Sequence, residues 1–171
     1  MSHRIDSTIS HARGKASGLR ARLAGLVGVF RTSSEQHGEL SALIARAKSD
    51  PRRRAELWPE LRVELLAHEH AELRVVYAEL RGHAETRALA ERHGREARQI
   101  ERLSAQLDEL ALDSPDWLGA FDELALLFVQ HANEEEKRIF PAAQRALGAP
   151  LARQLDAAFR TARRQIAEHV G

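Results

Sequence analysis

Two short stretches have the residue types and spacing for metal chemistry: His68 with Glu72 in "LLAHEHAELRVVY", and His131 with Glu135 in "QHANEEEKRIF". Residues i and i+4 of an α-helix sit one above the other, so an imidazole nitrogen and a carboxylate oxygen at that spacing can converge on one cation. Spacing alone is weak, because nine histidines and 18 glutamates in 171 residues yield about one such pair by chance. The neighbours carry more weight. Leu61 and Leu65 precede His68 on its face, and Leu124 and Leu127 precede His131, so both pairs belong to an apolar side. A histidine–carboxylate pair facing an apolar interior is costly unless it is hydrogen-bonded or holds a metal. Single histidines, His37 in "SSEQHGEL" and His93 in "ERHGREARQI", precede the two pairs, and an aromatic follows each paired histidine by nine residues, Tyr77 and Phe140. Each of four helices thus supplies at least one donor toward a common centre, which is how metal sites in bundles are built.

The elements that must position these residues are all helical. Apolar positions recur at helical spacing almost throughout, and no stretch alternates with period two long enough to predict a strand. The first helix runs from about residue 16 to Lys48, with an interruption near Ser33 as the alternative, since "TSSE" at Thr32–Glu35 matches a capping box. Asp50 and Pro51 start a second helix that reaches about Arg81, with a kink or a later true start at Pro59. Gly82 breaks the chain, and a third helix spans about Ala84 to Leu112. Ser114 and Pro115 start a fourth, from Asp116 to about Leu147, and Pro141 disturbs its last turns. Gly148 and Pro150 bracket a stop before a shorter final helix ending near Val170. The fold class expected is all-α: an up-down-up-down four-helix bundle with N-terminal and C-terminal helical extensions. Its divisions are a basic extension over 1–30, the bundle over 31–148 and a C-terminal helix packed on it over 149–171.

Composition narrows the chemistry. Cysteine is absent, which removes disulfides, thiolate zinc sites, iron–sulfur clusters and thiol nucleophiles together and fits a cytoplasmic location. The longest apolar runs are a handful of residues, so neither a membrane span nor a secretory signal is expected. The net charge of +1 conceals a gradient, with six basic side chains against Asp6 alone in residues 1–31. These charges alternate with Leu, Val and Gly and lack stacking aromatics, so no nucleic-acid partner is expected. Tyr77 reads as a core aromatic with its hydroxyl near water, and Trp58 and Trp117 as end-packing residues. Of Glu134, Glu135 and Glu136, the central one alone is phased inward. His3, His11, His70, His83 and His169 fall off the shared face or in the termini. No histidine has a glutamate three positions before it, which excludes the glutamate–x–x–histidine pattern of ferritin-like di-iron bundles.

The strings "SSEQHGEL", "HEHAELRVVY", "ERHGREARQI" and "HANEEEKRIFP" resemble the hemerythrin-like family, the histidine–histidine–glutamate cation-binding domain, over about residues 30–146. That resemblance implies a non-haem di-iron centre of two oxo- or hydroxo-bridged irons. By it, His37, His68, His93 and His131 are terminal ligands, and Glu72 and Glu135 bridge. The oxygen-carrying members use five histidines, two of them four apart on the third helix. Here the positions four either side of His93 are Leu89 and Ala97, leaving one imidazole short and the place open to water or to a carboxylate such as Glu69 or Glu96. Oxygen donors in place of imidazole favour the ferric state. The function implied is binding of dioxygen, nitric oxide or peroxide for sensing, storage or stress response. The alternatives are enzymatic turnover of peroxide or nitric oxide at the same centre, and iron storage or sensing.

Overall fold

The computed structural model describes the backbone of residues 2–171 and the side chains of residues 13–171. The chain is all-helical. Helix α1 is Ser2–Leu23 and α2 is Val29–Ser49. A 3₁₀ turn, Pro51–Arg53, leads into α3, Arg54–Ala71, which passes through a π turn at Glu72–Val76 into α4, Tyr77–Leu80. Helix α5 is Arg87–Glu109 and α6 is Pro115–Glu134; a second π turn, Glu135–Ile139, joins α6 to α7, Phe140–Val170. Among the described residues no helix is long and apolar enough to cross a membrane.

The helix boundaries have local causes. Ser114 accepts from the backbone N–H of Trp117 at 3.1 Å, with Pro115 next, so α6 starts where the sequence places a cap. Helix α7 is broken at Gly148, whose φ of 79° and ψ of 157° suit glycine alone, as the stop signal there predicts. Pro59 causes no break; α3 continues through it. The expected helix from about residue 16 is corrected: Gly25 and Gly28 take φ of 78° and 55°, and the chain turns between Leu23 and Val29. A Cβ on Gly28 would lie 2.1 Å from the carbonyl oxygen of Ala152, so this turn is also where α2 meets α7. "TSSE" therefore lies inside α2 and starts nothing; Ser34 bonds back to the Phe30 carbonyl at 3.0 Å. The third helix starts later than Ala84 because Thr86 donates its hydroxyl to the Leu80 carbonyl at 2.7 Å and holds the preceding residues in a turn.

Two apolar layers divide the interior. One gathers Leu57, Leu61, Leu65, Ile100, Trp117, Phe121 and Leu124, closed by Trp58 edge-on to Trp117 at 5.9 Å. The other gathers Phe30, Val76, Leu80, Ile139, Phe140 and Phe159. Each fully buried aromatic or aliphatic side chain contributes roughly 1.5–3 kcal/mol, so the layers hold the helices at fixed spacing. Polar residues from α2, α3, α5 and α6 lie between them.

Candidate metal centre

His37 on α2, His68 and Glu72 on α3 and its π turn, His93 on α5, and His131 and Glu135 on α6 and its π turn all reach this middle layer. Each is at most 2 % exposed. All six sequence-selected residues thus meet in one place, and Glu69 joins them at 1 % exposure. Their inward atoms form two four-residue groups, His37, His68, Glu72 and Glu135, and Glu69, Glu72, His93 and His131, with the donor atoms of each group within 4.8 Å of one another. Donors bound to one ion at roughly 2.0–2.2 Å lie at most about 4.4 Å apart, so small side-chain movements bring each group onto a single ion.

The atoms facing inward have no alternative use. His37 Nε2, His68 Nε2, both nitrogens of His93, His131 Nε2, both oxygens of Glu69, Glu72 Oε2 and Glu135 Oε2 are buried without a hydrogen-bond partner. Several approach one another, His37 Nε2 to Glu135 Oε2 at 3.0 Å and His131 Nε2 to Glu69 and Glu135 at 3.4 Å each, but without hydrogen-bond alignment. Natural proteins rarely leave buried polar atoms unsatisfied, and a cluster of them is the signature of an absent partner. A cation fits: each orphaned residue offers at least one nitrogen or oxygen of the type that binds first-row metals once deprotonated.

Outer contacts fix most of these ligand rings. His37 Nδ1 meets Glu136 at 3.0 Å, His68 Nδ1 meets the Gln36 side-chain oxygen at 2.9 Å, and His131 Nδ1 meets Glu96 at 3.1 Å. An imidazole held at Nδ1 presents Nε2 to a metal with its tautomer and orientation set. Glu72 accepts from the Ser33 hydroxyl, and Glu135 accepts from the Tyr77 hydroxyl at 2.5 Å. The Tyr77 ring also stacks on His93 at 3.5 Å, while Phe140 stacks on His37 at 5.8 Å. Each of these aromatics lies five residues beyond a paired glutamate. In a regular helix that offset points about 140° away, and the π turn that begins at each glutamate brings the aromatic back to the site.

Electrostatics divide the carboxylates. Burial alone would push the Glu135 carboxyl up, but His131 and His93 facing it, with the contact from His37, hold it well below the usual range. Burial and the Glu135 charge push Glu72 well above it. Burial works against charge on His37, yet Glu135 and Glu136 raise it to about 10; Glu69 and Glu135 likewise outweigh burial at His131. Burial and the neighbouring His37 push His68 down. Without metal, the raised His37 and His131 therefore favour their cationic forms beside the Glu135 carboxylate, while Glu72 favours its neutral form.

Sequence reasoning missed Ser33, Gln36 and Glu136 around the ligands and both π turns. Tyr77 is corrected: its hydroxyl is buried on Glu135 rather than near water. Glu136, phased outward from the centre, nonetheless bonds the back of His37, and Glu134 pairs with Arg92 at 2.7 Å. Of the candidates for the open fifth position, Glu69 turns inward and Glu96 sits behind His131. His70 and His83 stay at the surface beside Glu101 and Glu79, and His3 and His11 lie outside the described side chains.

The sequence profile of the hemerythrin HHE cation-binding domain matches residues 4–143. The chain belongs to that family. A protein described as a DNA nickase, from Nostoc sp. (strain PCC 7120 / SAG 25.82 / UTEX 2576), is 24 % identical over 140 residues, covering 79 % of this chain and 39 % of that protein. This chain therefore spans about two-fifths of the length of that relative. No solved structure matches the chain. As a member of the HHE family it carries buried histidine and glutamate groups that can hold metal cations.

Proposed function

We propose that this chain is a non-haem di-iron protein that binds dioxygen or a related small molecule, nitric oxide or peroxide, for sensing, storage or stress response. The observation that carries the reading is the convergence of orphaned buried donors into two groups that share Glu72. His37 and His68 would hold one ion, and His93 and His131 with Glu69 would hold the other. Glu72, which belongs to both groups, would be shared between them, and Glu135, approached by His37 on one side and by His93 and His131 on the other, would be the second shared carboxylate. A pair of ferrous ions so held supplies two electrons to a small oxidising ligand.

The remaining work belongs to the protein. The His37 and His68 end would offer fewer protein donors than the end with His93, His131 and Glu69, so an exogenous ligand would bind there. Phe128, Phe140 and Phe159 ring these two histidines at 5.8–6.1 Å and keep bulk water off the centre. The Tyr77 hydroxyl keeps its own proton and donates it to the Glu135 carboxylate at 2.5 Å, orienting that carboxylate. Glu136 and Glu96, only partly buried, link His37 and His131 to solvent as proton acceptors. An up-down-up-down order of the four ligand-bearing helices, an extension over 1–30 and a packed helix over 149–171 belong to the same reading, as does the cytoplasm as its place.

A third inward carboxylate favours a second reading, turnover of peroxide or nitric oxide, because an oxygen-rich donor set stabilises the oxidised metal and disfavours reversible release. Metal analysis with optical spectra tests both. Close to two irons per chain, with near-ultraviolet bands that vanish on anaerobic reduction and return in air, is expected; multiple turnovers without metal loss select the enzyme. His68→Ala and Glu135→Ala should each abolish iron retention. No iron after ferrous reconstitution refutes the proposal.

A further inference from the structure

A cavity of about 330 Å³ opens between α1, α2 and α6, and His37 forms part of its wall. His37 is only 2 % exposed, and it is the one of the six residues that this cavity touches, beside the Glu136 that bonds its Nδ1. Asn133 on α6 and Glu136 on the π turn after it, bonded to His37 Nδ1 at 3.0 Å, form one side. The opposite side comes from α1, which presents Arg13 and Arg20 to the same space, with Arg20 steadied by Ser17 at 3.2 Å. The wall carries two guanidinium groups against one carboxylate, and one oxygen of that carboxylate is engaged by His37.

The placement of α1 is steric. A Cβ on Gly38, the residue after His37, would lie 2.6 Å from the Arg13 carbonyl oxygen and 2.7 Å from Ser17 Oγ. Only a glycine there lets α1 come close enough to roof the cavity beside His37, so the arginines are positioned by backbone packing rather than by chance exposure.

We propose that this cleft is the entry port to the centre and that Arg13 and Arg20 make it selective for small monoanions of the size of nitrite. The proposal deepens the di-iron reading and rests on it for the identity of what lies beneath His37. A narrow passage with surplus positive charge concentrates anions locally and raises their association rate, an effect that salt screens. Neutral molecules of the same size gain nothing from it.

Two measurements test the port with Arg13→Gln/Arg20→Gln, whose side chains are exposed and whose loss leaves the core untouched. In the metal-free protein, titration with sodium nitrite at constant ionic strength is expected to move the amide resonances of Gly38, Asn133 and Glu136 saturably, and the double variant to lose that response. In the iron-loaded protein, the second-order rate of nitrite binding should fall about fivefold in the variant and fall similarly in the parent at high salt, while nitric oxide binds at one rate to both. Equal nitrite rates in parent and variant, or resonance changes scattered away from the cleft, overturn the port. Failure to load iron refutes the di-iron reading instead, and the resonance measurement still decides the cleft.

Discussion

Removing the Tyr77 hydroxyl separates the contribution of an outer contact from that of a ligand. In Tyr77→Phe the ring keeps its stack on His93 and the core keeps its packing, because the side chain is wholly buried and the change deletes one atom. What disappears is a 2.5 Å donation to Glu135, a carboxyl held in its charged form. A hydrogen bond to a charged buried group is worth about 1.5–3 kcal/mol. In a chain of this length each kcal/mol moves the midpoint by about 2–4 °C, so the metal-free Tm should drop by about 3–12 °C. Metal affinity should weaken about 10–100-fold, the usual cost of losing an outer partner, because Glu135 becomes free to rotate away from a bridging position. Urea unfolding in chelator measures the first effect and competitive metal titration the second. A double-mutant cycle with Glu135→Gln isolates the coupling, expected to exceed about 1 kcal/mol. Stability within about 0.5 kcal/mol of the parent together with unchanged affinity would refute the argument that the hydroxyl orients a metal-binding carboxylate.

Metal-free stability should fall as pH rises above 6.5. The folded His37 value, about 10, lies above its unfolded one, so its contribution is complete below 6.5 and is lost toward 10, with His131 acting in the same direction. Chelated urea unfolding should therefore show a decline across that window, while metal retention improves over it because bound imidazoles must be deprotonated; a flat chelated profile contradicts the charge assignment. Phe159→Ala, which removes a fully buried ring 6.1 Å from His68, should cost about 3–5 kcal/mol and loosen metal binding at the His37 and His68 end, as read by thermal melts with and without metal.

Much of this molecule is determined locally and is therefore legible in the chain. The helices follow from apolar periodicity, the start of α6 from Ser114 and Pro115, and the break in α7 from Gly148, because caps, prolines and glycines act within a turn of themselves. The paired His68 with Glu72 and His131 with Glu135 are legible for the same reason: i and i+4 share a face whatever else the chain does. Tertiary structure decides what depends on distance across the bundle. Gln36 and Glu136 stand behind histidines on other helices, Ser33 reaches Glu72 39 residues away, and Tyr77 reaches Glu135 58 residues away. Glu69 is adjacent to His68 in sequence, yet its inward turn toward His93 and His131 emerges only when α3, α5 and α6 pack together. A hydrogen bond or a ligand group is a meeting of atoms from separate elements, and periodicity along one helix carries no information about which neighbour packing will supply.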